Sequence, residues 1–260
     1  MRVALGVEYD GRAFKGWQRL GEGRRTIQPV VENALAAIAN HPVRIHCAGR
    51  TDAGVHALGQ VIHLDTEARR DERAWVLGAN THLPNDVGIT WARSVPATFH
   101  ARHSAISRVY RYVICNRRER PAVTAAMVTW YHQPLTIEPM RLAARDLLGE
   151  HDFSAFRAAE CQSRTPVRRV DRLDVWAKGT LVIVEVEANA FLQHMVRNLV
   201  GVLMAIGSGK AKPTWAREVL ESRDRRLGGV TAPADGLYLV EVRYPESCGL
   251  PRPRRDLLPG

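Results

Sequence analysis

The sequence predicts an α+β protein of two ferredoxin-like (βαββαβ) halves with mainly antiparallel sheets, joined around a central active-site cleft. Three observations predict it. Short runs rich in Val, Ile, Leu and Tyr recur as strands do. Longer stretches with apolar residues every three or four positions lie between them, as amphipathic helices do. The element order of the first part then returns in the second, without sequence self-similarity to mark it as a repeat.

Residues 3–9 alternate and form the first strand; residues 10–25 are polar and glycine-rich, with Phe14, Gly16, Trp17 and Gln18 embedded, and read as a loop. Thr26-Ile27-Gln28-Pro29 opens a helix running to about Asn40, with proline in its first turn and Val31, Leu35 and Ile38 at helical spacing. Residues 43–47 and 61–64 are short strands on either side of a loop. Asp71 caps a second helix through Trp75 and Val76 to about Ala79, and after a Pro84-Asn85-Asp86 turn residues 87–95 form the fourth strand. In the second half, strands are expected at 108–115, 169–176, 181–188 and 237–244, and helices at 136–148, 190–206 and 214–222. The boundary falls within 98–107, so the expected halves are 1–103 and 104–245, followed by an irregular proline-bearing tail, 246–260.

The 260 residues carry 37 basic and 27 acidic side chains, a net charge of +10, and only Lys15, Lys178, Lys210 and Lys212 are lysines. Arginine forks pair with phosphate oxygens and stack on bases, which suits a polyanionic partner such as RNA. The four cysteines are dispersed, without a Cys-x-x-Cys pair, and read as reduced thiols. The opening MRVALGVEYD has an acidic residue at position 8 and no apolar core of a leader, and no apolar run is long enough to span a bilayer. The expectation is a cytoplasmic protein.

The chemistry concentrates in Gly49-Arg50-Thr51-Asp52-Ala53-Gly54-Val55-His56. Taken alone, Asp-Ala-Gly reads as a tight turn in which the carboxylate caps backbone amides. Yet Asp52 is the only carboxylate between Glu32 and Asp65, and it sits between two glycines that let a ligand approach the backbone. Phe99-His100-Ala101-Arg102-His103 offers two histidines three apart but no third ligand cluster, so RNA contact is the better reading than metal. Tyr110 and Tyr112 share one strand face, with Arg111 on the other. Arg118 lies in a basic patch with Arg117 and Arg120, and Gln162-Ser163-Arg164-Thr165-Pro166 is again polar and basic. Helix 190–206 is apolar on nearly every face, yet carries His194, Arg197 and Asn198 on one face; a buried arginine requires a partner. Gly207-Ser208-Gly209-Lys210 lacks the spacing of a phosphate loop and follows a helix, so it reads as a helix stop.

EYDG with GWQ, GRTDAGVHALGQV, FHAR, RVYRY, QSRTP, FLQHMVRN and GLYLV, in this order, resemble the motifs of the tRNA pseudouridine synthases of the TruA type, over residues 1 to about 245. The resemblance implies isomerisation of uridine to pseudouridine at positions 38, 39 and 40 of the tRNA anticodon stem-loop, by a homodimer and without metal or cofactor. It implies that Asp52 is the catalytic nucleophile, that Tyr110 stacks on the target base, and that Arg197 pairs with Asp52. It further implies tRNA contacts from the 99–103 and 162–166 segments. Arg50, two residues from Asp52, is placed to fill the space left by a flipped base. A non-catalytic RNA-binding module and a metal-dependent nuclease remain as competing readings. The first lacks an RNP aromatic signature; the second lacks clustered acidic ligands.

Overall fold

The computed structural model describes residues 1–21 and 23–253. Among the described residues the chain divides into two compact units, Met1–Arg108 together with 238–253, and Val109–Leu237.

In the first unit, β1 (Arg2–Tyr9) leads through the 10–25 loop into α1 (Ile27–Ala39), β2 (Ile45–Cys47) and β3 (His56–Asp65). A short π-helix, Ala74–Gly78, then runs into the short α2 (Ala79–His82) and β4 (Val87–Val95). The β1 strand is central, antiparallel to β3 on one side and to β4 on the other, and β2 pairs antiparallel with the far end of β3. Being central, β1 is buried on both faces. On α1, Ile27, Val31 and Leu35 are buried, and Asn40 ends the helix in the left-handed conformation at φ 59°. The Asp71 cap forms, with its carboxylate accepting from the Ala74 amide at 2.6 Å.

The second unit follows the order β5 (Ser107–Asn116), β6 (Thr129–Tyr131), α3 (Ile137–Arg145), β7 (Gly149–Asp152), β8 (Val167–Lys178), β9 (Leu181–Ala188), α4 (Met195–Gly207) and α5 (Trp215–Ser222). Its sheet order is β5-β9-β8-β7, with β6 parallel to β5. The last strand, β10 (Leu237–Arg243), pairs in parallel with the start of β3, setting Tyr238 against His56 and Leu239 against Ala57. Each unit is thus a mixture of helices with mostly antiparallel strands.

Three expectations are corrected. The strand after the Asp52 loop begins at His56, not Val61. Gly59 and Gln60 look like a turn but are strand residues, and a side chain at Gly59 would collide with the Val240 carbonyl of β10. The long apolar helix begins at Met195, not Ala190, because His194 adopts φ 62° and so cannot lie inside the helix. Helix α3 ends at Arg145, ahead of Leu148, and the chain passes into the unforeseen edge strand β7. The Gly207–Lys210 segment is a helix stop: the Lys210 amide donates to Ala205 O at 2.9 Å and Gly209 has φ 75°. Of the expected irregular tail, residues 254–260 lie outside the described residues.

Candidate active site

Residues 48–55 connect β2 to β3, and the 10–25 loop braces them from below. Phe14 and Trp17 are buried at 2% exposure, which anchors that loop by apolar area. From it, the Trp17 amide donates to Thr51 O at 3.0 Å, and Phe14 O accepts from Gly54 N at 3.2 Å. The Tyr9 and Thr51 hydroxyls lie 2.8 Å apart, and the Gln60 amide closes the loop's base through Gly49 N and O. Gly16, at φ 95°, runs so close beneath the loop that a Cβ would lie 2.9 Å from Thr51 O. His56 Nδ1 lies 3.2 Å from both Gly11 N and Asp10 Oδ1, with the Tyr238 ring stacked on it at 4.6 Å. Trp17 and Phe14 thus tie Thr51 and Gly54 on either side of Asp52, whose own carbonyl accepts from Val55 N at 3.2 Å. Asp52 itself is half-buried and Arg50 is exposed.

A held, accessible carboxylate can act as a nucleophile or a base. The thiol of Cys47, at the end of β2, cannot at neutral pH: burial pushes it up to about 11, against the smaller opposing pull of Arg50.

The 99–103 segment lies in the same unit. Phe99 and Ala101 are buried, His100 is half-buried, and Arg102 and His103 face solvent. Arg108, at the start of β5, is buried; its Nη2 donates to Ala48 O at 2.9 Å and to Arg102 O at 2.7 Å, tying the base of the Asp52 loop to this segment. The Tyr244 hydroxyl donates to Ala101 O at 2.6 Å. Sequence reasoning gave neither residue this role, because Ala48 and Ala101, whose carbonyls they reach, lie 60 and 143 residues away from them in the chain.

In the second unit, Tyr110 is 8% exposed and meets the Phe191 ring edge-on at 5.0 Å. Tyr112 is core: its hydroxyl sits 2.5 Å from the Thr129 hydroxyl and donates to Pro233 O at 2.8 Å. Arg111 points to the other face and pairs with Glu185. Arg197 is half-buried in the first turn of α4, its Nε donating to Ala232 O at 2.7 Å. Asn198 beside it accepts from Arg225 and Thr231 and donates to Phe156 O. Arg118, Gln162, Arg164 and Thr165 are exposed, and Ser163 and Pro166 half-buried. Buried Arg168 braces the 162–166 segment by donating to Thr165 O at 2.9 Å and to the Ser163 hydroxyl. Among the described residues no group of His, Cys, Asp or Glu is arranged to hold a metal ion, and no helix is long and apolar enough to cross a membrane.

The family profile described as tRNA pseudouridine synthase matches residues 6–104 and 143–245. The chain belongs to that family, and is an isomerase that converts uridine to pseudouridine in tRNA. Among its relatives, the tRNA pseudouridine synthase A of Methylococcus capsulatus is 60% identical over 252 residues, covering 97% of this chain and 93% of that one. The tRNA pseudouridine synthase A of Coxiella burnetii is 55% identical, with 96% of each chain covered, and that of Klebsiella pneumoniae is 53% identical, with 96% and 92% covered. A solved Cbf5-Nop10-Gar1 complex aligns at 12% identity and a TM-score of 0.37, over 78% of this chain and 45% of that chain, a likeness too slight to carry an argument.

Proposed function

We propose that this chain isomerises uridine at positions 38, 39 and 40 in the anticodon stem-loop of tRNA, with Asp52 as nucleophile. The observation that carries the reading is the held conformation of the Asp52 loop, which presents one half-buried carboxylate on a frame of main-chain hydrogen bonds. Substrate and product are isomers, so no redox partner or energy source enters. The C1′–N1 bond breaks, the uracil turns, C5 bonds to C1′, and the proton on C5 moves to N1 by way of solvent or a side chain. Asp52 attacks either the sugar or the base and is released when the new bond is complete. A glycosidase would need two carboxylates flanking the bond, whereas this loop offers one.

The target base must leave its stack, at a cost of about a few kcal/mol. Exposed Arg50 fills the vacated space, and Tyr110 holds the ring. Arg197, which the resemblance assigns to the same site, pairs with the carboxylate. Arg102, Arg118 and the 99–103 and 162–166 segments bind phosphates and loop bases. In this reading each half, 1–103 and 104–245, is a ferredoxin-like unit, the chain acts as a cytoplasmic homodimer, and it uses neither metal nor cofactor.

The test is to incubate the protein with unmodified tRNA, with and without chelator, and map pseudouridine. The expected result is modification at the three positions, indifferent to chelator. Asp52→Asn is expected to abolish it while tRNA affinity stays within about a few fold, since phosphate contacts dominate binding. Turnover near wild type in Asp52→Asn would remove Asp52 from its role.

A further inference from the structure

We infer that His63 is a positioning residue that holds the RNA-contacting segment 99–103 through one imidazole lone pair. The inference rests on the reading of that segment as a tRNA contact. His63 lies within β3 and is 1% exposed. A strand interior needs only an apolar side chain for packing, so a histidine there calls for a chemical reason. Its Nδ1 accepts the Ala101 amide hydrogen at 3.1 Å. Ala101 is fully buried, so water cannot replace that acceptor. With its carbonyl taken by Tyr244, Ala101 is pinned at both polar atoms. Flanking residues then turn outward: His100 Nδ1 accepts the Arg102 and His103 amides at 3.1 and 3.3 Å, leaving both side chains in solvent.

The surroundings keep the lone pair available. His46 of β2 stacks on His63 at 5.0 Å and His100 meets its edge at 4.6 Å, with Phe99 edge-on at 6.1 Å. Burial first, then His100, Arg2 of β1 and His46, lower its pKa to about 4 against the opposing pull of Asp65. At neutral pH His63 is therefore uncharged, and with Nδ1 accepting the Ala101 amide its proton sits on Nε2.

The test compares three variants by steady-state kinetics on tRNA and by thermal melting. His63→Phe keeps a ring and loses the acceptor; His63→Asn loses the ring but sets a carbonyl oxygen where Nδ1 stands; Arg102→Ala removes the presented cation. Orphaning a buried amide is expected to raise KM about tenfold in His63→Phe with kcat held within about twofold, and His63→Asn is expected to return KM to within about threefold of wild type. Equal KM values in the Phe and Asn variants, or a wild-type KM in His63→Phe, would overturn the inference. Should His63→Phe not fold, His63→Gln replaces it, since its oxygen lies one bond too far out to serve Ala101, and the same outcomes decide. A wild-type KM in Arg102→Ala would overturn the reading of the segment and this inference together. A raised KM in Arg102→Ala beside an unchanged one in His63→Phe would overturn this inference alone.

Discussion

Adding a single methyl group beneath the Asp52 loop, by Gly16→Ala, is expected to damage both stability and rate. Gly16 has φ 95°, and an added Cβ would meet Thr51 O at 2.9 Å, Ala53 N at 3.2 Å and Asp52 C at 3.2 Å. All three are main-chain atoms, which cannot rotate away as a side-chain tip can. The positive φ costs a non-glycine residue about 1–2 kcal/mol, and overpacking against backbone adds about 1–3 kcal/mol. The sum of about 2–5 kcal/mol corresponds to a melting temperature lower by about 5–15 °C for a chain of this size. The 2.9 Å contact relaxes to ordinary van der Waals distance when the Thr51–Asp52 peptide retreats by about half an ångström. If a 1 Å misplacement costs about a hundredfold in rate, this retreat costs about tenfold. The assay is single turnover at saturating enzyme, with Gly21→Ala as control, because a Cβ there meets nothing within 4 Å. Wild-type melting and rate in Gly16→Ala, or equal losses in the two variants, would refute the reasoning.

Arg108→Met is expected to cost about 2–4 kcal/mol, because the Ala48 and Arg102 carbonyls lose a shared buried donor; Arg108→Lys, with one ammonium for both, is expected to recover only part in thermal melts. Burial pushes the Glu185 carboxyl up, but the hydrogen bonds and charges of Arg172 and Arg111 outweigh it and hold it below 4.5. Its contribution is therefore present above that value and lost as pH falls through the folded one; Glu185→Gln is expected to cost about 3 kcal/mol at neutral pH in denaturant titrations. His63 behaves as a depressed base: the unfolded chain takes up its proton near 6.5 and the folded chain near 4, so stability falls as pH drops between these values. At about 1.4 kcal/mol per pH unit this amounts to about 3 kcal/mol, and His63→Asn is expected to lose that slope when denatured at pH 7 and 4.5. Tyr110→Phe is expected to keep tRNA affinity by its ring, and equal, full activity in the Phe and Ala variants would exclude Tyr110 from the site.

What was legible in the sequence is what depends on neighbours in the sequence. Strands β4 and β9 were bounded correctly because dense β-forming residues fill them between evident turns: Pro84-Asn85-Asp86 before one, Lys178-Gly179 before the other. Strands β6 and β7, of three and four residues, were missed because they are too short to show a period and are held by main-chain pairing to β5 and β8. The early start of β3 was hidden because Gly59 answers to Val240, far along the chain. The same division runs through the candidate site. Asp52 stood out by its isolation among glycines, whereas Arg108 and His63 have their partners on distant backbone. The RVYRY motif marks Arg108 without saying which carbonyls it holds, and a histidine within a strand carries no local pattern at all.

The pairing of β3 with β10 has a consequence for how this protein comes to exist. The strand that leaves the Asp52 loop is joined at His56 and Ala57 by Tyr238 and Leu239. About 180 residues separate the two strands, so at about 5–20 residues per second the ribosome takes about 10–40 s to make the second after the first. Throughout that interval the β3 edge at His56 and Ala57 is without its partner strand, and His56 without the ring that stacks on it. The first unit can begin to fold during synthesis, since β1, β3 and β4 are all made early. It acquires the strand beside the Asp52 loop only when β10 has been made, and a contact across so long a stretch of chain is slow to form. A chain not yet extended to β10 therefore carries the Asp52 loop without the strand that pairs at His56 and Ala57 beside it.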